Sequence, residues 1–191
     1  MIKKITLLVA VVAISTAAFA QIQFGVKGGV NMGNIKLSGG GISADTKMQI
    51  GFQVGGYASF GINEQISVQP EVLFQQGGCK FDEDFSKEPL KANMIVVPIM
   101  FKYSLDAIKL MAGPQLGYIL SAEIDGEDVT GEDAFDMNKL DYGIAFGAGY
   151  ELESGIGFDA RYYFGLANLT KADELTVKAS GIQLSVYYTF K

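Results

Sequence analysis

The 191-residue sequence has no histidine, no tryptophan, four prolines and a single cysteine, Cys79. Without histidine there is no Ser-His-Asp or Cys-His catalysis, no His-ligated metal and no imidazole pH switch. One cysteine excludes an internal disulfide and any zinc site built from several thiolates. Charged residues are only 19% of the chain and sum to −6 at pH 7. That balance lacks the basic surface nucleic-acid binding requires. No segment has 18 consecutive apolar residues, so helical membrane spans are excluded. Disorder is excluded by a hydrophobic content of 49%. What remains is one domain's length of apolar chain with 24 glycines.

The N-terminus reads as an address. Lys3 and Lys4 precede an apolar run from Ile5 to Ile14, and small residues end in Ala18-Phe19-Ala20. These are the charged, apolar and cleavage regions of a secretory signal peptide. Residues 1–20 are therefore expected to be removed, leaving a mature domain of 21–191. No cysteine follows the run, so a lipoprotein anchor is not expected.

The mature chain alternates with the strand period of two. Ile22, Phe24, Val26, Val30 and Met32 share one face, and Gln23, Gly25, Lys27, Gly29 and Asn31 the other. Seven further segments repeat the pattern, at 48–60, 65–75, 95–103, 108–120, 140–151, 156–166 and 181–190. The fourth alternates least, because Val96, Pro98 and Met100 stand on its less apolar face. Short turns are expected near 61–64, 105–107 and 153–155, and long polar loops near 33–47, 77–91, 121–138 and 168–177. Short turns on one rim and long loops on the other fit an up-and-down transmembrane barrel. The expectation is all-β: an eight-stranded antiparallel barrel with four long outer loops and three short periplasmic turns.

Alternation alone does not say which face points inward, since a soluble barrel of the lipocalin kind also alternates. Segments of about 11–14 residues, longer than the usual strand of about 5–6, are long enough to cross a bilayer at a tilt of about 45°. Aromatic residues recur near the ends of the apolar faces: Phe24, Phe60, Tyr103, Tyr118, Tyr142, Tyr188 and Phe190. Such girdles mark lipid interfaces. The polar face is thus expected to line the lumen. It carries Lys27, Lys102, Lys109 and Arg161 against Glu71, Asp141, Glu151 and Asp159. Buried charges must be paired, so these eight are the candidate lumen charge network, a structural rather than catalytic site. Glycines on the same face would make room for long side chains such as Arg161, Tyr57, Tyr163 and Tyr187. A packed lumen is expected, and a polar solute path is the alternative. Pro70, Pro98 and Pro114 fall inside strands, where each removes a ladder donor; bulges or strand ends are expected there.

Several stretches carry a degenerate but repeated pattern: Gly25-Val26-Lys27-Gly28-Gly29-Val30-Asn31, Ile95 to Tyr103, Ala112-Gly113-Pro114-Gln115-Leu116-Gly117-Tyr118, Tyr142 to Tyr150, and Ala160 to Leu166. Over essentially all of 21–191 the chain resembles the PorT-like outer-membrane β-barrel domain family of Bacteroidetes-type bacteria. The resemblance implies the barrel fold and an outer-membrane location, and brings no catalytic residues. It also implies an alternative role, as an accessory component of protein secretion across the outer membrane. Such barrels commonly end on an aromatic residue; here Lys191 follows Phe190.

Other features point nowhere specific. The acidic loop with Glu123, Asp125, Glu127, Asp128, Glu132, Asp133 and Asp136 does not match an EF-hand, and a solvated loop is expected. Gly147-x-Gly149 lacks the third glycine of a dinucleotide fingerprint. Asn168-Leu169-Thr170 is a formal sequon read as chance. Cys79 is placed in the second loop, a free thiol that could pair between chains or be incidental. The expected function is a non-enzymatic barrel without cofactor or metal, a monomer that meets outer-membrane lipid and lipopolysaccharide. Its loops would present a surface to an envelope or extracellular protein, or the barrel would support envelope integrity. A narrow solute channel is the other alternative.

Overall fold

The period of two resolves into eight long strands in a computed structural model that describes residues 22–39, 42–80, 89–128, 138–171 and 175–190. They are β1 (Ile22–Gly39), β2 (Lys47–Gly61), β3 (Ile66–Lys80), β4 (Leu90–Leu105), β5 (Ile108–Ile124), β6 (Leu140–Glu151), β7 (Ile156–Gly165) and β8 (Leu175–Phe190). Each pairs antiparallel with its neighbours in sequence. β8 then returns to β1, from Phe24 opposite Phe190 to Gly39 opposite Leu175. The ring therefore has no free edge along its body. The signal segment 1–20 lies outside the described residues.

Turn chemistry sets the short rim. The Asn63 side chain accepts from the backbone N–H groups of Gln65 (2.9 Å) and Ile66 (2.7 Å), closing the β2–β3 turn. Asp106, with φ of 53°, makes a two-residue connection between Leu105 and Ile108. The other rim differs from the sequence expectation. Much of the long loops is strand, because β1, β3, β4, β5 and β8 run on past the apolar segments as paired ribbon. Ile42–Asp45 folds back on β1, and Glu127–Asp128 on β5 across Asp125-Gly126. Gly126, at φ of 80°, supplies the left-handed position that this tight hairpin needs. The polar composition that suggested loop belongs to ribbon standing above the apolar belt. Residues 40–41, 81–88, 129–137 and 172–174, including Glu132, Asp133 and Asp136 of the acidic loop, lie outside the described residues.

The prolines also correct the expectation. Pro70, Pro98 and Pro114 occupy strand interiors with no register shift at any of them. Pairing skips two residues and resumes in the same register beyond, between Pro70 and Leu73 and between Pro98 and Phe101. Pro70 stands opposite Ile99, and the β4–β5 register puts Ile99 level with Pro114, so the missing donors fall together. The register shifts lie elsewhere, between Met48 and Gln53 and between Asn93 and Met94.

The faces separate sharply. Phe24, Ile50, Val72, Phe101, Tyr118, Ile144, Phe158 and Phe190 all point outward and are exposed. Lys27, Gln53, Glu71, Gln115, Asp159, Arg161 and Gln183 point inward and are buried. From Ile50 to Phe60, ten steps of about 3.3 Å at a tilt near 40° rise about 25 Å, the height of an outer-membrane apolar belt. Above the belt the outward residues turn polar: Asn34, Lys36 and Ser38 on β1, and Ser180, Lys178 and Thr176 on β8.

Candidate functional site

The inside of the barrel is the candidate site, and it has three levels. At the short-turn end, Tyr57 and Tyr187 meet edge to face, ring centroids 6.0 Å apart. The hydroxyls of Tyr57 and Thr189 share a 2.8 Å hydrogen bond, and the Tyr187 hydroxyl donates to Glu151 (3.2 Å). Gly157 stands opposite Tyr187, and a Cβ there would collide with the tyrosine ring. Only glycine leaves room for the ring to lie across the lumen.

The middle level holds the charges. Glu71 on β3 accepts both arms of the Arg161 guanidinium from β7, at 2.9 and 2.7 Å. Arg161 also reaches Asp159 (3.2 Å), and Lys27 from β1 bridges Asp159 (2.6 Å) and Glu71 (3.5 Å). The four side chains are at most 1% exposed and sum to zero charge. The bidentate arginine fork is the strongest common ion-pair geometry. Neutral groups complete the level. Gln69 donates to Glu71 (2.7 Å) and accepts from Lys102 (2.9 Å), whose ammonium stands 5.5 Å from the Tyr187 ring centroid. Gln53 donates to Ser185 (2.8 Å), and Gln183 to Gln75 (3.3 Å). Beside them the weakly alternating inner face of β4 packs Met100 against Met111, Ala145 and Tyr163.

The loop end is closed by an apolar plug. Cys79, Leu90, Ala92, Ile119, Ala122, Ala167 and Leu169 form one buried cluster. Segment 166–171 is tied over the mouth. Asn168 donates to Leu175 O (3.1 Å) and accepts from the N–H groups of Thr170 (3.3 Å) and Val177 (2.8 Å), while Asn138 donates to Asn168 O (2.8 Å). The formal sequon is therefore a backbone clamp. Cys79, expected in the second long loop, stands in β3 and is fully buried, because inward alternation continues along β3 past the belt.

Of the eight candidate residues, the structure brings Lys27, Glu71, Asp159 and Arg161 into direct contact and links Lys102 through Gln69. Glu151 is half-buried beneath Tyr187. Lys109 lies at the rim, one residue into β5, and its ammonium reaches the turn carbonyl of Asp106 (3.1 Å) instead of the lumen. Asp141 is buried far from the others. Among the described residues, no group of three or more His, Cys, Asp or Glu side chains is arranged to hold a metal.

A polar, packed lumen inside an apolar exterior is the reverse of a lipocalin. Residues 19–171 match the family model described as outer membrane protein beta-barrel domain. The chain belongs to that family. Among solved structures, Neisserial surface protein A (NspA) superposes with a TM-score of 0.57 at 18% identity, covering 87% of this chain and 97% of that one. Ail, the attachment invasion locus protein of Yersinia pestis, superposes with a TM-score of 0.50 at 17% identity, covering 88% and 98%. At such identities the likeness shows the eight-stranded fold alone. A search of curated proteins found no match.

Proposed function

We propose that this outer-membrane β-barrel protein is a non-enzymatic scaffold, anchored by its apolar belt and displaying its projecting ribbons to a partner in the envelope or outside the cell. The observation that carries this reading is the filled lumen. A tyrosine pair, a neutralised charge cluster and an apolar plug succeed one another along its axis. Buried ion pairs in direct contact across the lumen fix a structure and offer no path to a solute. Export by a cleaved signal at residues 1–20 and contact with outer-membrane lipid and lipopolysaccharide belong to the same reading. Planar-bilayer recording of the purified protein tests it: no stable solute-sized conductance is expected, and a reproducible open channel would overturn the closed lumen.

A further inference from the structure

Gln115 Oε1 has no hydrogen-bond partner among the described residues, and it lines one cavity with Asp141 and with Tyr163, whose hydroxyl donates to the Asp141 carboxylate. The cavity, about 60 Å³, lies between the charge cluster and the apolar plug. Each of the three side chains is at least nine-tenths buried. Native proteins seldom leave even one such group unsatisfied, and a buried carboxylate needs a counter-charge as well. Among the described residues no lumen cation supplies it. Arg161 stands opposite Gly147, six residues along β6 from Asp141 (141 to 147), about 20 Å at the strand rise. Lys102 is level with Gly147 too, through Met111. Lys139, two residues from Asp141, is exposed, and no salt bridge joins it to Asp141 among the described residues. Of the donors beside the cavity, Asn31 donates to Gln76 O and the Tyr163 hydroxyl to the Asp141 carboxylate, and neither carries a positive charge.

We propose that this cavity binds a small monovalent cation, held by the Asp141 carboxylate, the Gln115 side-chain carbonyl and the Tyr163 hydroxyl oxygen. One carboxylate with two neutral oxygens balances a single positive charge and falls short of a divalent one. The Tyr163 hydroxyl donates its proton to the Asp141 carboxylate in a hydrogen bond, which leaves the carboxylate's charge unbalanced and lone pairs on all three oxygens for a cation. The volume holds an ion with one water, at roughly 30 Å³ apiece. Gly117 keeps the space open beside Asp141, and a Cβ there would meet Asp141 Cβ at 3.6 Å and Met94 Sδ at 3.9 Å, ordinary contacts.

The test is thermal unfolding of the refolded barrel in detergent, read by loss of its heat-modifiable gel mobility. The salts are NaCl, KCl and tetramethylammonium chloride at equal ionic strength. A cation that binds only the folded state raises the midpoint by mass action. The wild type should gain on the order of 3–5 °C in sodium or potassium over tetramethylammonium when the ion stands near ten times its Kd. Asp141→Asn removes the charge and should abolish the difference. Gly117→Ala keeps every ligand, narrows the cavity and should reduce it; this variant decides the matter should Asp141→Asn not refold. Equal wild-type midpoints in all three salts would overturn the proposal. So would a full sodium shift in either variant, or a midpoint that follows pH and ignores the cation, which would assign a proton to the site.

Discussion

Replacing Glu71 with glutamine removes one negative charge from a cluster of four buried groups that sums to zero. Lys27, Arg161 and Asp159 remain, with a net charge of +1 and side chains at most 1% exposed. The new amide also turns an NH2 group toward donors, because Glu71 now accepts from Arg161, Gln69 and Lys27. Breaking a buried pair from one side typically costs about 3–5 kcal/mol. At about 2–4 °C per kcal/mol for a chain of this size, the midpoint should fall by roughly 6–20 °C. Lys27→Met should also destabilise, since it leaves the cluster at −1. The double variant Glu71→Gln/Lys27→Met returns the sum to zero and should be more stable than Glu71→Gln alone. The assay is a double-mutant cycle on refolded protein in detergent, followed by heat-modifiable mobility against temperature. A double variant whose loss equals the sum of the two single losses would show no coupling and refute the charge-balance reasoning.

Two further predictions concern the loop end. Cys79 is fully buried in the plug, so a maleimide should fail to label the folded barrel and should label it fully once heated; rapid labelling when folded would contradict the plug. Asn168→Ala removes the clamp on segment 166–171; each lost buried hydrogen bond costs about 0.5–1.5 kcal/mol, and limited proteolysis should cut within 166–177 while barrel mobility persists. An unchanged digest would show that the clamp does not hold the mouth.

The barrel body was readable in the sequence because a strand has only two faces. Once Phe146, Ile144 and Tyr142 fall on one face, Gly147, Ala145 and Gly143 must fall on the other. Lumen charges were legible for the same reason, and Lys27, Glu71, Asp159 and Arg161 all face inward. Which charges meet depends on register and tilt, and these bring Arg161 to Glu71 across 90 residues of sequence. Lys109 shows the limit: its parity is inward, but its position beside the turn lets the ammonium reach the Asp106 carbonyl. The ribbons beyond the belt were misread as loops because they are polar outside, and the inward row of Cys79, Leu90, Ala92 and Ile119 is sparse. Composition had excluded histidine chemistry, but could not show that Asn168 is a clamp or that Asp141, Gln115 and Tyr163 surround a shared space.

The central claim is a folded barrel in the outer membrane, apolar outside and closed within. Fractionation of cells producing the full chain, followed by electrophoresis of heated and unheated membrane samples, tests it most directly. The protein should be found in the outer-membrane fraction and migrate at two positions, one for the unheated barrel and one for the heated chain. A soluble periplasmic protein whose mobility is the same with and without heating would contradict the account.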